Sequence, residues 1–296
     1  MRQRPAIRNT LEYCLALAVL KSLEWTPLAV ANQLARGYAR LLDLALPRLR
    51  RVANRNLSLA LPDANATEII DAGFQSIARV LVAFAKFPAI HRGNVHQWIR
   101  CEGAEHFENA LRQGSGVLFA TAHLGNWELS AFAHAILTAP MNVVVRPLDN
   151  PLIDRMVERR RGHSGNRLIS KRDIARPILK ALAANQAVGI LIDQNSTTDS
   201  GVFVDFFGTP ACTGTGFAKL AARSGAAVIP GFALWSAEER IYVLRFYPPV
   251  PMTGDATRDT DALQRVLEEI VRAYPDQWLW IHRRWKTRPP GEPAFY

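Results

Sequence analysis

From residue 117 onward, short runs rich in β-branched and aromatic residues alternate with segments of helical period, and no other feature restricts the fold as much. The runs at 117–122, 141–146, 187–193, 226–234 and 240–247 read as strands; 126–137, 151–161, 173–184 and about 259–273 read as helices. Strands fed by helices in turn build a largely parallel sheet covered on both faces. Residues 1–98 carry no strand pattern. Leu34, Tyr38, Leu41, Leu42 and Ala45 share one helical face there, and Ile77, Val80, Leu81 and Phe84 share another. The expected architecture is α/β, a mainly parallel central sheet flanked by helices. An N-terminal helical, membrane-associating region over 1–98 precedes a core over 99–296, the two forming one integrated domain.

At 296 residues, 49% hydrophobic and 21% charged, the chain is long and apolar enough to bury a full core. Its formal charge is +10, carried mostly by arginine, a side chain that grips phosphates bidentately. Charge alone fits a nucleic acid, an anionic membrane or a phosphorylated substrate equally. Cys14, Cys101 and Cys212 are scattered and odd in number, which argues against a disulfide framework and for a reducing compartment. Arg2, Arg4 and Arg8 precede an apolar patch, Tyr13 to Leu20, that Lys21 and Glu24 interrupt. That patch is too short to span a bilayer and lacks a signal-peptide cleavage site, so it reads either as an interfacial helix or as an ordinary packed one. The basic stretch Pro47–Arg55 reads as a solvated face or a headgroup contact. At the C-terminus Trp278, Trp280 and Trp285 interleave with Arg283, Arg284 and Lys286. That mixture suits a membrane interface, stacked single-stranded nucleic acid, or tryptophans packed inward beneath solvated cations. No recognisable nucleic-acid module is present, and nucleic acid is not expected as a partner.

In open α/β sheets ligands bind beyond the carboxyl ends of the strands, so the polar residues that end the apolar runs are the ones to examine. They are His123, Arg146 and Asp193. His123 follows Val117–Ala122, and Asn126 is a plausible cap for the next helix, which puts Glu128 in that helix's first turns. A carboxylate there could fix the imidazole tautomer and leave the other ring nitrogen free to take a proton from a hydroxyl. The alternative is a satisfied turn histidine beside an acid that complements the helix dipole. Arg146 suits a phosphate or carboxylate clamp, or merely caps a strand. Asp193 suits a supporting acid. Glycines with Thr213 and Thr215 before an apolar helix could bind an anion, although no P-loop or dinucleotide fingerprint is present. Phe206 and Phe207 read as a channel wall or as core. The sequence has no Gly-x-Ser-x-Gly elbow and no His-Glu-x-x-His zinc motif.

His123-Leu-Gly-Asn-Trp-Glu128 after a buried strand resembles the signature of the bacterial lipid A late acyltransferases, a branch of the lysophospholipid acyltransferase superfamily. The likeness continues through Ala53-Asn-Arg-Asn-Leu57, Arg146-Pro-Leu-Asp-Asn150, Arg159 to Gly162, Asp193-Gln194, Phe206-Phe207-Gly208, Pro230 and Trp280-Ile-His-Arg-Arg-Trp285. The N-terminal apolar segment is shorter and more charged than the anchoring helix such enzymes often carry. The resemblance implies transfer of an acyl chain from acyl carrier protein, or less often coenzyme A, to a hydroxyl of a lipid A precursor or similar glycolipid. This would take place at the cytoplasmic face of the inner membrane, by a peripheral or monotopic protein. It implies His123 as general base, with Glu128 orienting it and stabilising the imidazolium, and backbone N–H groups near Gly125 and Asn126, or an arginine, at the oxyanion. Asn126, Arg146, Asn150, Arg159, Asp193, Gln194, Phe206, Phe207 and Gly208 would bind substrate. No metal and no cofactor beyond the thioester co-substrate are implied. Acyltransferases for phosphatidylinositol mannosides or lysophospholipids share the signature. A metal-dependent ester hydrolase using His123, Glu128 and Asp193 as ligands is the reading from a different class.

Overall fold

The computed structural model describes residues 5–170 and 174–296. Arg2, Arg4 and the first residue of the helix expected at 173–184 lie outside the described residues.

Four helices come first: α1 (Ala6–Trp25), α2 (Leu28–Ala45), α3 (Pro47–Ala60) and α4 (Ala66–Lys86). There follow β1 (Ile99–Glu102), α5 (Ala104–Arg112), β2 (Val117–Thr121), α6 (Trp127–Leu137), β3 (Asn142–Val145), α7 (Pro151–Arg161), β4 (Arg167–Ser170), α8 (Ala175–Ala183) and β5 (Ala187–Leu191). The rest is a hairpin of β6 (Gly201–Phe206) and β7 (Thr209–Gly214), then α9 (Gly216–Ser224), β8 (Ala227–Ser236), β9 (Ile241–Phe246) and α10 (Ala256–Ala273). Seven strands form one sheet in the order β1-β9-β8-β2-β5-β3-β4, parallel throughout except where β8 meets β9. The expected α/β sheet with its N-terminal helical region is therefore what the chain forms. The sequence reading missed β1, α5, β4 and the hairpin. In the hairpin, Gly201, Pro210 and Gly214 interrupt the period-two pattern, and the turn is made by Phe207 and Gly208, both at positive φ (58° and 71°).

Side chains of β2 alternate between two apolar layers, as a strand's period of two requires. Val117 and Phe119 pack on the side of α6, α5 and the N-terminal helices, whereas Leu118 and Ala120 pack against Ile178, Leu182, Phe217 and Leu263 of α8, α9 and α10. The first layer runs without a break from Leu20 and Leu57 to Trp285, so α1–α4 share a core with the sheet.

Ile77, Val80, Leu81 and Phe84 of α4 face inward as their pattern suggested, but α2 departs from its pattern. α2 buries Ala31, Ala35 and Ala39, leaves Leu34 and Tyr38 half-buried, and exposes Leu41, Leu42 and Leu44. Alanines permit the close approach of α2 to α4, so the leucine stripe is left outside.

Candidate active site

β2 and β5 are parallel neighbours with Thr121 paired to Leu191, and the same register carried two residues further brings His123 against Asp193. His123 donates its backbone N–H to Asp193 Oδ2 at 3.0 Å, and its Nδ1 lies 3.0 Å from Oδ1. The Trp278 indole N–H donates to Oδ2 at 3.2 Å. Burial opposes the charge on Asp193, but the His123 side chain and backbone, with Trp278, outweigh it and hold the carboxyl down to about 2. A carboxylate only accepts, so Nδ1 carries a proton and Nε2 keeps its lone pair. Burial likewise opposes a charge on His123, and Asp193, helped by Glu128, overcomes it, so that the imidazole pKa is raised.

The loop holding His123 is pinned on both sides. Gly125 sits at φ 62°, where an added Cβ would lie 2.0 Å from the Ala233 carbonyl oxygen, so only glycine fits. Gly125 N–H donates to the Gln277 carbonyl at 3.0 Å, Asn126 N–H to the Ala233 carbonyl at 2.8 Å, and Leu279 N–H to the His123 carbonyl at 3.0 Å. The two backbone donors expected at an oxyanion, Gly125 and Asn126, are therefore already engaged. The Asn126 side chain caps α6 by accepting from Leu129 N–H at 3.0 Å.

Glu128 does not make the contact expected of it. The carboxylate on His123 Nδ1 is that of Asp193, and Glu128, in the first turn of α6, faces α7 instead. It accepts from Arg161 Nε at 2.9 Å and from a terminal guanidinium nitrogen at 2.5 Å. Glu128 remains near enough to favour charge on His123 through space.

A cavity of about 490 Å³ opens at these groups. Its rim carries His123, Glu128, Arg161, Arg146, Leu148 and Gln194, and its inner end is apolar, reaching Phe119, Phe132, Met141 and Phe246. The space lies between α6 and the sheet, and two of the sheet residues that line it are glycines. Gly189 stands beside Phe119 on β5, and Gly231 opposite Phe246 on β8, both on the α6 face. At the inner end His134 contacts the rings of Phe107, Phe119 and Phe246 edge-on, and neither ring nitrogen has a hydrogen-bond partner. Burial pushes its pKa down to about 4 against a weak contact with the Ala139 carbonyl.

Among the expected binding residues, Arg146 and Gln194 are on the rim and Asp193 is on His123. Asn150 is buried as the cap of α7, accepting from Leu152 N–H and donating to the Asn9 carbonyl. Arg159 lines a separate cavity on the far side of α7. Phe206 and Phe207 pack on Trp278, Trp280 and Trp285, away from the cavity, with Gly208 in the hairpin turn. Thr213 lies in β7 and accepts from Arg284, so no anion cradle forms there. Nor do the C-terminal tryptophans face a membrane or a nucleic acid: Trp278, Trp280, Trp285 and Arg284 are all buried. Sequence reasoning missed Arg161, Trp278 and His134. Arg161 lies within the Arg159–Gly162 segment and Trp278 within the C-terminal tryptophan stretch, but neither pattern points to these roles, and His134 shows only as a histidine in an apolar helix.

The bacterial lipid A biosynthesis acyltransferase family model matches residues 2–287. The lipid A biosynthesis lauroyltransferase of Escherichia coli K12 is 29% identical over 95% of this chain and 94% of its own length. The palmitoleoyltransferase of the same strain is 30% identical over 86% and 85%, and its myristoyltransferase 26% identical over 90% and 88%. A match over nearly the whole sequence, together with a histidine–carboxylate pair at the mouth of an apolar cavity, places this chain in the bacterial lipid A biosynthesis acyltransferase family.

Proposed function

We propose that the protein transfers a fatty acyl chain from acyl carrier protein to a hydroxyl of a lipid A precursor, with His123 Nε2 as the general base. The observation that carries this reading is the His123–Asp193 pair at the mouth of a cavity whose inner end is apolar. The acyl chain lies between α6 and the sheet, which leaves its thioester carbonyl at the rim. His123 takes the proton of the acceptor hydroxyl as its oxygen attacks that carbonyl. The carbon–sulfur bond then breaks, and the proton passes to the departing thiolate. Asp193 fixes the tautomer and, with Glu128, stabilises the imidazolium. Arg161, held by Glu128 on the same rim, supplies the positive charge for the oxyanion in place of the engaged backbone donors. Arg146 meets an anionic group of donor or acceptor. No cofactor enters this scheme.

A membrane surface as the working location is supported by where apolar side chains are left exposed. Large ones are found on α1 and α2, their connection and the end of α2, from Ile7 to Leu46, and at Leu148 on the cavity rim. Among the described residues no helix is long and apolar enough to cross a membrane. The whole protein is therefore expected to be released from inner membranes by a carbonate wash, and retention would overturn peripheral attachment.

The deciding experiment follows a labelled acyl group from acyl carrier protein to a lipid A precursor in detergent. His123→Ala and Asp193→Asn should each lower kcat about a hundredfold or more. Without Asp193 the imidazole loses its main support for charge, so the acidic limb of the pH profile should move to lower pH. A fully active His123→Ala protein would sink the mechanism. A wild-type protein active only on phosphatidylinositol mannosides or lysophospholipids would change the acceptor, and acyl-ester hydrolysis without an acceptor would favour the hydrolase.

A further inference from the structure

α7 is a wall between two cavities. On one side Arg161 meets Glu128 at the His123 rim. On the other, α1 and α7 enclose a second space of about 420 Å³. Its apolar walls are Tyr13, Leu17, Leu152 and Met156, and its cations are Lys21, Arg155, Arg159 and Arg160, with His163 beside them. Among the described residues Glu24 is the only acid on these walls, and it is shared: Lys21 donates to one oxygen at 3.0 Å and Arg160 to the other. Arg160 also donates to the Phe84 and Ala85 carbonyls, so this group is committed to holding α1 against the end of α4. Arg155 and Arg159 are not so committed. They stand one helical turn apart and exposed; Arg155 spends only its Nε, on the Pro151 carbonyl, and among the described residues Arg159 has no hydrogen-bond or ion-pair partner. The result is a groove with surplus positive charge and two free guanidinium forks.

The surroundings narrow what can fill it. On α1, Ile7, Leu11 and Leu15 are exposed, and this stripe lies roughly a third of a turn around the helix from Tyr13, Leu17 and Lys21. A ligand whose charged head enters the groove therefore has an apolar surface beside it for its tails. Paired arginines match the oxygens of a phosphate, and a dianion best offsets several cations.

We propose that the α1–α7 groove binds the phosphate group of an acyl-bearing lipid, at a site separate from the reacting hydroxyl. This rests on the acyl-transfer reading for its purpose: with the phosphorylated part of the acceptor held on one side of α7 and the hydroxyl presented to His123 on the other, the helix sets which hydroxyl reacts. The same chemistry could come from a phospholipid of the bilayer.

The test is steady-state transfer by the full-length protein and its Arg155→Ala/Arg159→Ala variant in neutral detergent, with a phosphorylated acceptor and its dephosphorylated counterpart. Arg159→Glu serves as a second variant, and both positions are exposed, so folding should be unaffected. The expected result is an acceptor KM raised about tenfold or more in the variants, with kcat and donor KM held, and with the preference of the wild type for the phosphorylated acceptor abolished. A KM shift seen only when phosphatidylglycerol is added to the micelles would support the site and assign it to bilayer phospholipid. An unchanged acceptor KM in both arms would overturn the proposal, as would a fall in kcat alone, which would mean that α7 had merely disturbed Arg161. Flotation of the protein with vesicles carrying the phosphorylated lipid needs no turnover. If the wild type transfers nothing but flotation still depends on Arg155, Arg159 and the phosphate, the functional reading falls and the site stands.

Discussion

Two arginines contrast the halves of the molecule. Arg284, in the α/β core, is wholly buried between β7 and α10, where it donates to the Cys212 carbonyl, Thr213 Oγ1 and Gln264 Oε1, and burial pushes its pKa down to about 10. Arg50, in the N-terminal helices, is about one-third exposed and ties Asp43 of α2 to Asp71 of α4. The same inversion holds for apolar side chains, with tryptophans buried at the end of the chain and leucines exposed at its start. The core is organised around its own interior, whereas the N-terminal helices bury only part of their apolar surface and leave the rest exposed.

The contrast can be broken most decisively at Arg284. Arg284→Ala removes the shared donor of three buried acceptors, leaves Gln264 Oε1 without its partner and opens a cavity under Phe206, and should cost about 3–5 kcal/mol in urea unfolding. A loss below about 1 kcal/mol would mean that the core is no more tightly specified than the helices.

Acid should act next, and again through the core. His134 has a folded pKa of about 4 against an ordinary 6.5, so the unfolded chain binds more protons between those values. The His134 contribution to stability should be full above pH 6.5 and fall by about 3 kcal/mol as the pH drops to 4. Asp193, held down to about 2 from 3.8, adds a second loss below pH 3.8. His134→Phe removes the titrating ring from its aromatic box, and between pH 6.5 and 4 it should lose about 3 kcal/mol less stability than the wild type; an unaltered slope would place the effect elsewhere.

A smaller effect is expected on the exposed side of the comparison. Leu11→Ser with Leu15→Ser should weaken binding to anionic vesicles about tenfold or more, because a fully buried leucine contributes about 1.5–3 kcal/mol. Thermal stability should stay within about 0.5 kcal/mol. If it fell while vesicle binding held, the stripe would be packing inside the protein. The smallest change should come from Arg50→Ala, within about 1 kcal/mol for half-exposed ion pairs.

Much of this arrangement was legible before any coordinates. Val117–Ala122 and Gly189–Ile192 are apolar runs that end in a histidine and an aspartate, and the rule that sites gather at strand ends selected both residues. That the two meet was not legible, because β2 and β5 are 65 residues apart in the chain and their register is a property of the sheet. Glu128 stood close to His123 in sequence and so drew the role of tautomer partner, but the cap at Asn126 turns the first residues of α6 toward α7. In α2 the leucine stripe was visible and its direction was not. An apolar face tells which side avoids water, and alanines that let two helices approach closely can claim the interior instead. Trp278, Trp280 and Trp285 carried the opposite ambiguity: ring and charge alternate in the same way in an interfacial belt and in a segment that buries both.

The hollow between α6 and the sheet has a further consequence. Interiors are ordinarily close-packed, and Phe119, Met141 and Phe246 forgo contacts across the hollow of about 490 Å³ that they line together with Gly189 and Gly231. Under the proposed reading an acyl chain restores those contacts only while the donor is bound. A ligand at a hundred times its Kd stabilises a fold by about 2.7 kcal/mol, enough to change the unfolded fraction by roughly a hundredfold. In a cell that triages unfolded chains, the lifetime of this protein would then rise and fall with the supply of fatty acyl thioesters.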